Sequence, residues 1–374
     1  MVLKVSHTQL NEVLKNYYEK KLALFIWGTF GIGKSRVVLQ SAREVAESKG
    51  KIFVEWNKID KELKQKVFEY PEKYFVLIDI RLSEYDSSDI KGLPDFKEGK
   101  ETIEWKIPTW AKFTALENSD GFLFFDEINL TTPIVMGSCY KIIYDRVINE
   151  EKMSGNWLVL GAGNKESDRA YTHTIPSPLR DRGGEVELSV PDVDDWVDWG
   201  LKNGMDSRII GFLNFKRSNL HPPTNFEDGQ KFTTARGWER VNTLINKLPI
   251  GEIDLIVRSA IGEGVASEFV AFCKIQEKLN MEDLIKNPEK IKTITAIDIR
   301  YFLVSALADR YKDKKIKFDK IVEVSKVLDE AKGVEFVAIL WRMCLGYAKD
   351  TFTKDFQSCK ENDLIEKYSK YILK

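Results

Sequence analysis

A glycine-rich segment that ends in lysine and serine carries the most specific chemistry in the sequence. Residues 28–35 read GTFGIGKS and match the P-loop pattern G-x-x-x-x-G-K-[ST]. Glycines let backbone N–H groups surround phosphate oxygens. The lysine adds positive charge toward the β- and γ-phosphates, and the serine can ligate Mg²⁺. The pattern therefore predicts a site for ATP and Mg²⁺ formed by Gly28, Thr29, Phe30, Gly31, Ile32, Gly33, Lys34 and Ser35.

Two adjacent carboxylates follow a second apolar run. Residues 121–129 read GFLFFDEIN, so Asp126 and Glu127 come directly after the run FLFF. A buried strand of this kind delivers carboxylates to the carboxyl end of a parallel sheet, where ligands bind. We expect Asp126 to hold the Mg²⁺ and Glu127 to orient and polarise the attacking water. Taken alone, an acidic strand end is more often structural, and it is the P-loop upstream that favours the catalytic interpretation.

The elements that must position these residues follow from the apolar pattern. In the first half of the chain, short apolar runs alternate with helix-like stretches, as is typical of α/β folds. Runs such as FVLI and FLFF do not alternate with polar residues, which favours parallel strands covered on both faces. A helix is predicted over residues 35–48, and a β-hairpin over residues 93–108. Strands are predicted over residues 22–27, 52–56, 75–80, 122–125, 157–161 and 185–188.

After Pro191 the pattern changes to one in which helical periodicity dominates. This change predicts a domain boundary near residue 190, with an α/β part before it and an all-helical part after it.

The order of the motifs resembles that of AAA+ ATPases, and more narrowly the MoxR-type and dynein-related branch. The matching segments are GTFGIGKS, DIRLSEYDSSDIKGLP, FLFFDEIN, WLVLGAGN, PSPLRDRG and TARGWE, which together span about residues 22–272. The resemblance implies a P-loop NTPase with a parallel-sheet AAA+ core, an all-helical lid domain and a helical C-terminal extension. We place these domains at residues 1–190, 191–277 and 278–374.

The resemblance also implies roles for three further residues. Asn164 matches the first sensor, which contacts the γ-phosphate or the attacking water; its alternative is an ordinary turn asparagine. Arg182 matches the arginine finger that reaches a neighbouring subunit's ATP. Arg180 is close enough in the sequence to be the finger instead, and the alternative role for Arg182 is a salt bridge at the protein surface. Arg236 matches the second sensor of the lid, against the alternative of an ordinary arginine on a helix surface.

Two further features match the branch, but their residue types do not indicate a chemical role. The branch pattern includes Asp79, Arg81 and Asp89. These residues either organise the sheet edge near the nucleotide or merely cap a helix and form ion pairs. The predicted hairpin lies where this branch carries an insert that faces the ring's pore. Its aromatic residues could grip a client protein or pack in the core; they are Phe96, Trp105 and Trp110.

Composition narrows the classes of function. With 57 Lys+Arg against 58 Asp+Glu, the charge balance argues against nucleic acid or an anionic membrane as a partner, although a local basic patch remains compatible. The four cysteines form no CxxC pair and the three histidines have no ligand spacing, which argues against a zinc site. We expect reduced thiols, no membrane span and a cytoplasmic protein.

The P-loop and the acidic pair predict an ATPase. The resemblance implies that it works as a homo-oligomeric ring, usually a hexamer in the resembled family, and that it remodels a partner protein. The resemblance alone implies that the partner carries a von Willebrand factor A domain. The first alternative is a nucleic-acid-associated motor or an accessory ATPase of a virus or mobile element. The second is a nucleotide-gated scaffold with little turnover.

Overall fold

The structure is a computed structural model that describes residues 2–96, 103–165, 173, 183–222, 233–246, 248–359 and 366–368. The chain divides into two compact units, Met1–Val190 and Pro191–Lys374. Each unit is described by itself. Among the described residues, no helix is long and apolar enough to cross a membrane.

The first unit is built on a seven-stranded sheet in which every pair of neighbouring strands is parallel. Its strands are β1 (Leu3–Val5), β2 (Leu24–Trp27), β3 (Ile52–Glu55), β4 (Tyr74–Arg81), β7 (Gly121–Asp126), β10 (Trp157–Gly163) and β11 (Gly184–Leu188). Their order across the sheet is β1-β11-β2-β10-β7-β4-β3. Two short antiparallel hairpins complete the described strands: β5 (Leu93–Asp95) with β6 (Glu104–Lys106), and β8 (Val147–Ile148) with β9 (Glu151–Lys152).

Helices cover the sheet on both faces, which explains why its central strands are apolar without alternation. The helices of this unit are α1 (His7–Lys20), α2 (Lys34–Ser48), α3 (Lys61–Glu69), α4 (Ser87–Lys91), α5 (Thr109–Thr114) and α6 (Pro133–Asp145). Residues of α1 and α2 share one hydrophobic core with Phe75, Phe122 and Phe124. Residues of α3, α5 and α6 share a second core with Phe125 and other strand residues. Every residue of β10 is buried.

The fold class predicted from the sequence is confirmed: a parallel α/β sheet carries the P-loop, and a helical part follows. The six predicted strands are present to within two residues at each end. The strand before the P-loop begins at Leu24 and not at residue 22, because Lys21 ends α1 in the left-handed conformation, with φ 58°, and Leu22 is exposed.

The predicted hairpin is also present, as β5 and β6. Its neighbour Trp110 lies in α5 and is buried in the core, so core packing is the correct alternative for this residue.

The second unit is helical throughout its described regular structure. Its helices are α7 (Val193–Lys202), α8 (Ser207–Phe215), α9 (Ala235–Ile245), α10 (Ile253–Ile261), α11 (Glu263–Cys273), α12 (Met281–Lys286), α13 (Ile297–Lys312), α14 (Phe318–Glu330), α15 (Val334–Tyr347) and α16 (Lys349–Ser358). A single hydrophobic core includes residues on both sides of position 277, among them Trp238, Phe269 and Trp341. The division into a lid and a C-terminal extension stays a prediction.

An ion network connects α7, the first helix of the helical unit, to α15. Arg342 of α15 donates to Asp198 at 2.6 Å and to Asp194 at 2.8 Å, and Arg217 donates to Asp194 at 2.6 Å. Hydrogen bonds from Arg217 and Arg342 hold the pKa of Asp194 at about 2 despite partial burial. Because that pKa lies below the ordinary value of 3.8, the network stabilises the unit above about pH 4 and loses its contribution as the pH falls toward 2.

Candidate nucleotide-binding site

The predicted site residues of the first unit come together at one edge of the sheet. β2, β10 and β7 are adjacent, and they run parallel. The P-loop follows β2, Asn164 follows β10, and Asp126 ends β7. The carboxyl edge of a parallel sheet is where α/β proteins bind ligands.

The glycines of the P-loop are required by its backbone. Gly31 and Gly33 have φ values of 72° and 94°, in the left-handed region that favours glycine. A Cβ atom on Gly28 would lie 2.9 Å from the Leu188 carbonyl oxygen, so β11 leaves no room for a side chain there. α2 begins at Lys34, and no side chain caps its amino terminus. The N–H groups of its first turn therefore suit an anion.

Lys34 connects the P-loop to the end of the neighbouring strand. Its Nζ is buried and donates to the carbonyl oxygens of Gly28 and Thr29 at 2.7 and 3.0 Å. It also donates to Oδ1 of Asn164 at 3.0 Å. The predicted first sensor is thus within hydrogen-bond distance of the P-loop amine.

Ser35 and Asp126 form the pair expected at a magnesium site. The Ser35 hydroxyl donates to Oδ2 of Asp126 at 2.6 Å, and the Glu127 N–H donates to Oδ1 of Asp126 at 2.9 Å. One hydroxyl and one carboxylate fit Mg²⁺, which prefers a few oxygen ligands together with phosphates and water. In the described part of the chain, no group of three or more His, Cys, Asp or Glu forms a metal site by itself.

Glu127 occupies an unusual backbone position beside this pair. Its φ is 58°, which is uncommon for a residue with a side chain and is often found at functional sites. Its Oε2 accepts a hydrogen bond from the Ser83 hydroxyl, which lies beyond the end of β4. Ser83 therefore fixes the direction of the carboxylate that we predict to act on water.

Asn129 was not among the predicted site residues, although the structure places it within the site. Its Nδ2 donates to the Asn164 carbonyl oxygen at 2.8 Å, and its Oδ1 accepts from the Asn164 N–H at 3.0 Å. Gly163 leaves room for this pair, since a Cβ atom there would lie 2.6 Å from Oδ1 of Asn129. This reciprocal pair fixes the backbone of Asn164. The only sequence signal was the position of Asn129 three residues after Asp126, the end of the acidic strand.

The structure does not test the roles predicted for the three arginines. Arg180 and Arg182 lie outside the described residues. Arg236 is exposed in the first turn of α9, in the second unit. The roles of these three residues stay predictions.

The residues of the DIRLS and SSDIKG motifs have distinct surroundings. Asp89 accepts from the Asp86 N–H at 2.9 Å and completes a capping box at the start of α4. Arg81 pairs with Glu84 at 3.0 Å. Burial, and then the charge of Asp126, raises the pKa of Asp79 to about 6. The capping box therefore accounts for Asp89, and the ion pair with Glu84 accounts for Arg81. Asp79 lies close to the candidate metal site.

His7, at the start of α1, forms a hydrogen bond with the P-loop. Its Nε2 lies 2.6 Å from the Ile32 carbonyl oxygen. A carbonyl can only accept, so Nε2 carries the proton in this hydrogen bond. The contact restrains the carbonyl group of Ile32, which lies in the P-loop.

We expect His7→Ala to weaken ATP binding by about 3- to 10-fold, the effect of losing one hydrogen bond of about 1 kcal/mol. Equilibrium titration with a fluorescent ATP analogue measures the change. Thr8→Ala, an exposed neighbour in the same helical turn, serves as the control and should bind as the wild type does. Unchanged affinity in His7→Ala would show that the contact does not support the loop.

Comparisons with known proteins give similarity at the level of fold. No protein-family model and no curated protein sequence matches the chain. AMPPCP-bound DnaA from Aquifex aeolicus is 15% identical, with a TM-score of 0.35 and 92% of each chain covered. A mutant of RuvB from Thermotoga maritima is 15% identical, with a TM-score of 0.34, covering 74% of this chain and 75% of RuvB.

A candidate ATPase from Cytophaga hutchinsonii is 16% identical, with a TM-score of 0.33. The match covers 53% of this chain and 50% of the Cytophaga protein, so the chain spans about half the length of that protein. Similarity at this level carries no conclusion about activity or partners.

Proposed function

We propose that the chain is an AAA+ ATPase that binds Mg-ATP, hydrolyses it at an interface between subunits of a ring, and uses the cycle to remodel a partner protein. The observation that carries the ATPase proposal is the convergence of Lys34, the Ser35–Asp126 pair, Glu127 and Asn164 at one sheet edge. A protein that only binds nucleotide has no need of a carboxylate placed to act on water.

Each residue has a defined part in this proposal. The P-loop N–H groups and Lys34 bind the phosphates, and Ser35 with Asp126 holds Mg²⁺, which would neutralise charge on the β- and γ-oxygens. Asn164, already within 3.0 Å of Lys34, reaches the γ-phosphate or the attacking water. Glu127, whose carboxylate accepts a hydrogen bond from Ser83, orients that water.

The ring proposal rests on the resemblance of the PLRDRG segment to the arginine-finger motif. In a head-to-tail ring, an arginine of one subunit completes the site of the next. We assign this part to Arg182, with Arg180 as the alternative, and we assign Arg236 to the second sensor.

Mixing two inactive variants tests the ring directly. Glu127→Gln subunits lack the water-orienting carboxylate but carry the finger, and Arg182→Ala subunits have the opposite defect. We expect each variant alone to be nearly inactive, and an equal mixture to recover about a quarter of wild-type turnover, because about a quarter of random interfaces combine the two intact parts. Phosphate release at several mixing ratios measures the recovery.

A matched mixture with Arg180→Ala in place of Arg182→Ala identifies the finger. If Arg180 is the finger, only that mixture recovers activity. If neither mixture recovers and gel filtration with ATP shows only monomers, the ring proposal is wrong while the ATP site itself is unaffected.

The hairpin of β5 and β6 supports the proposal that the chain contacts a client. Its register pairs Pro94 with Trp105, and the same register places Phe96 and Ile103 on their face. Phe96 is 76% exposed, Ile103 52% and Trp105 41%. The opposite face carries the Lys106–Asp95 salt bridge. Exposed apolar faces of this kind are typical of protein-binding surfaces.

The identity of the client rests on the resemblance alone. A partner with a von Willebrand factor A domain is what the MoxR-type branch implies. Affinity capture on the Glu127→Gln protein in the presence of ATP, with Lys34→Ala as the control bait, tests this expectation.

A further inference from the structure

Asp79 is a carboxylate beside the candidate magnesium site that the roles described above leave unexplained. In the register of β4 with β7, Asp79 lies opposite Phe124 and Arg81 lies opposite Asp126. Paired residues of adjacent strands project to the same face of a sheet. Asp79 therefore shares the face of Phe124 and Asp126, which is the face that α2 covers and from which Ser35 meets Asp126.

The surroundings of Asp79 differ from those of the other acidic residues on this face. Its Oδ1 is buried and has no hydrogen-bond partner among the described residues, and the side chain forms no salt bridge with any of them. Glu55, on the next strand and the same face, pairs with Arg43 at 3.1 Å and Lys58 at 2.5 Å. A buried acceptor without a donor is unfavourable and uncommon in folded proteins.

The arrangement also places like charges together. Asp79 lies within electrostatic range of Asp126 and, more weakly, of Glu55 and Glu127, while Arg81 is the cation that acts on it. Arg81 is itself paired with Glu84. Carboxylates gathered in this way are best stabilised by a cation and its water between them.

We propose that Asp79 belongs to the outer shell of the magnesium site, where its Oδ1 accepts a hydrogen bond from a water molecule bound to the metal that Ser35 and Asp126 hold. This inference rests on the proposed ATP site. Mg²⁺ keeps several of its waters when it binds to proteins. Partners beyond the direct ligands change metal affinity by about 10- to 100-fold.

The Mg²⁺ dependence of nucleotide binding tests the proposal in Asp79→Asn. We expect this variant to bind a fluorescent ATP analogue without Mg²⁺ as tightly as the wild type does. The Mg²⁺ concentration needed for half of the metal-dependent gain in affinity should rise about tenfold. Glu55→Gln, which removes a charge from the same face, is the matched control and should stay within about twofold of the wild type.

Thermal unfolding in EDTA provides a second readout that does not depend on the nucleotide. A residue that serves a metal-bound water contributes no contact when the metal is removed. The Tm of Asp79→Asn should therefore be equal to or above that of the wild type, because a buried charge without a partner has been removed.

Three results separate the possible explanations. Wild-type Mg²⁺ dependence in Asp79→Asn overturns the inference and leaves the ATP site standing. A lower Tm in EDTA, or failure to fold, shows that Asp79 has a structural partner and also overturns it. If the wild-type protein binds no nucleotide at all, it is the proposed function that fails.

Discussion

Replacing Glu127 by glutamine should reduce ATP turnover by about 10²- to 10⁴-fold while ATP binding stays close to that of the wild type. An amide has nearly the shape of the carboxylate but cannot polarise water or accept its proton. Ser83 can still donate to the amide oxygen, so the local structure around residue 127 is preserved. Steady-state phosphate release and equilibrium titration with ATP measure the two quantities separately.

Glu84→Gln is the matched control for this variant. Glu84 is an exposed carboxylate close to Ser83 in the chain and pairs with Arg81. It should lose little activity, because its carboxylate is assigned no contact with water or nucleotide. Wild-type turnover in Glu127→Gln would show that another group activates the water, and the catalytic assignment of Glu127 would be wrong.

The strands that carry the site could be predicted from the sequence because their signal is local. Runs such as FLFF and WLVL are apolar at every position, since both faces of their strands are covered. The P-loop and the Asp126-Glu127 pair were predicted for a similar reason: each is a contiguous motif whose chemistry follows from its own residues.

The residues that support the site could not be predicted, because their roles depend on tertiary contacts. Ser83 meets Glu127 across 44 positions of sequence, and His7 meets Ile32 across 25. Asn129 is a common residue type, and only the close approach of β10 gives it two hydrogen bonds with Asn164. In none of these cases does the local pattern reveal the partner.

Three short strands were missed for a different reason. β1 is three residues long, with only Val5 buried, and β8 and β9 have two residues each. Segments this short contain no periodicity to detect. β1 forms because β11 offers it a parallel partner, and that partner lies about 180 residues away in the chain.

The described contacts link ATP binding to three neighbouring elements at once. Lys34 bonds to the P-loop carbonyls and to Asn164, while Asn164 is fixed by Asn129 after β7. A phosphate group that attracts Lys34 would compete with Asn164 for the same amine.

Replacing Lys34 by alanine should weaken ATP binding by at least about 30-fold. Removing one partner of a buried, hydrogen-bonded charge contact costs about 2–5 kcal/mol, and each 1.4 kcal/mol corresponds to about tenfold in affinity. The side chain of Lys34 is only 8% exposed and its Nζ donates to Gly28 and Thr29. The variant therefore loses both the cation that meets the phosphates and the donor that holds the loop curled.

Affinity for ATP reports the loss of the phosphate contact, and the Tm reports the loss of the contacts within the loop. Lys34→Met keeps much of the volume but not the charge, and Lys20→Ala, at the exposed end of α1, is the control for a change in net charge. Calorimetric titration with ATP should show strong loss of affinity in both Lys34 variants, and thermal unfolding should show a lower Tm in both, because neither side chain can donate to Gly28 and Thr29. If Lys34→Met bound ATP as tightly as Lys20→Ala does, the amine would not be a phosphate ligand, and its contacts with Gly28 and Thr29 would be only structural.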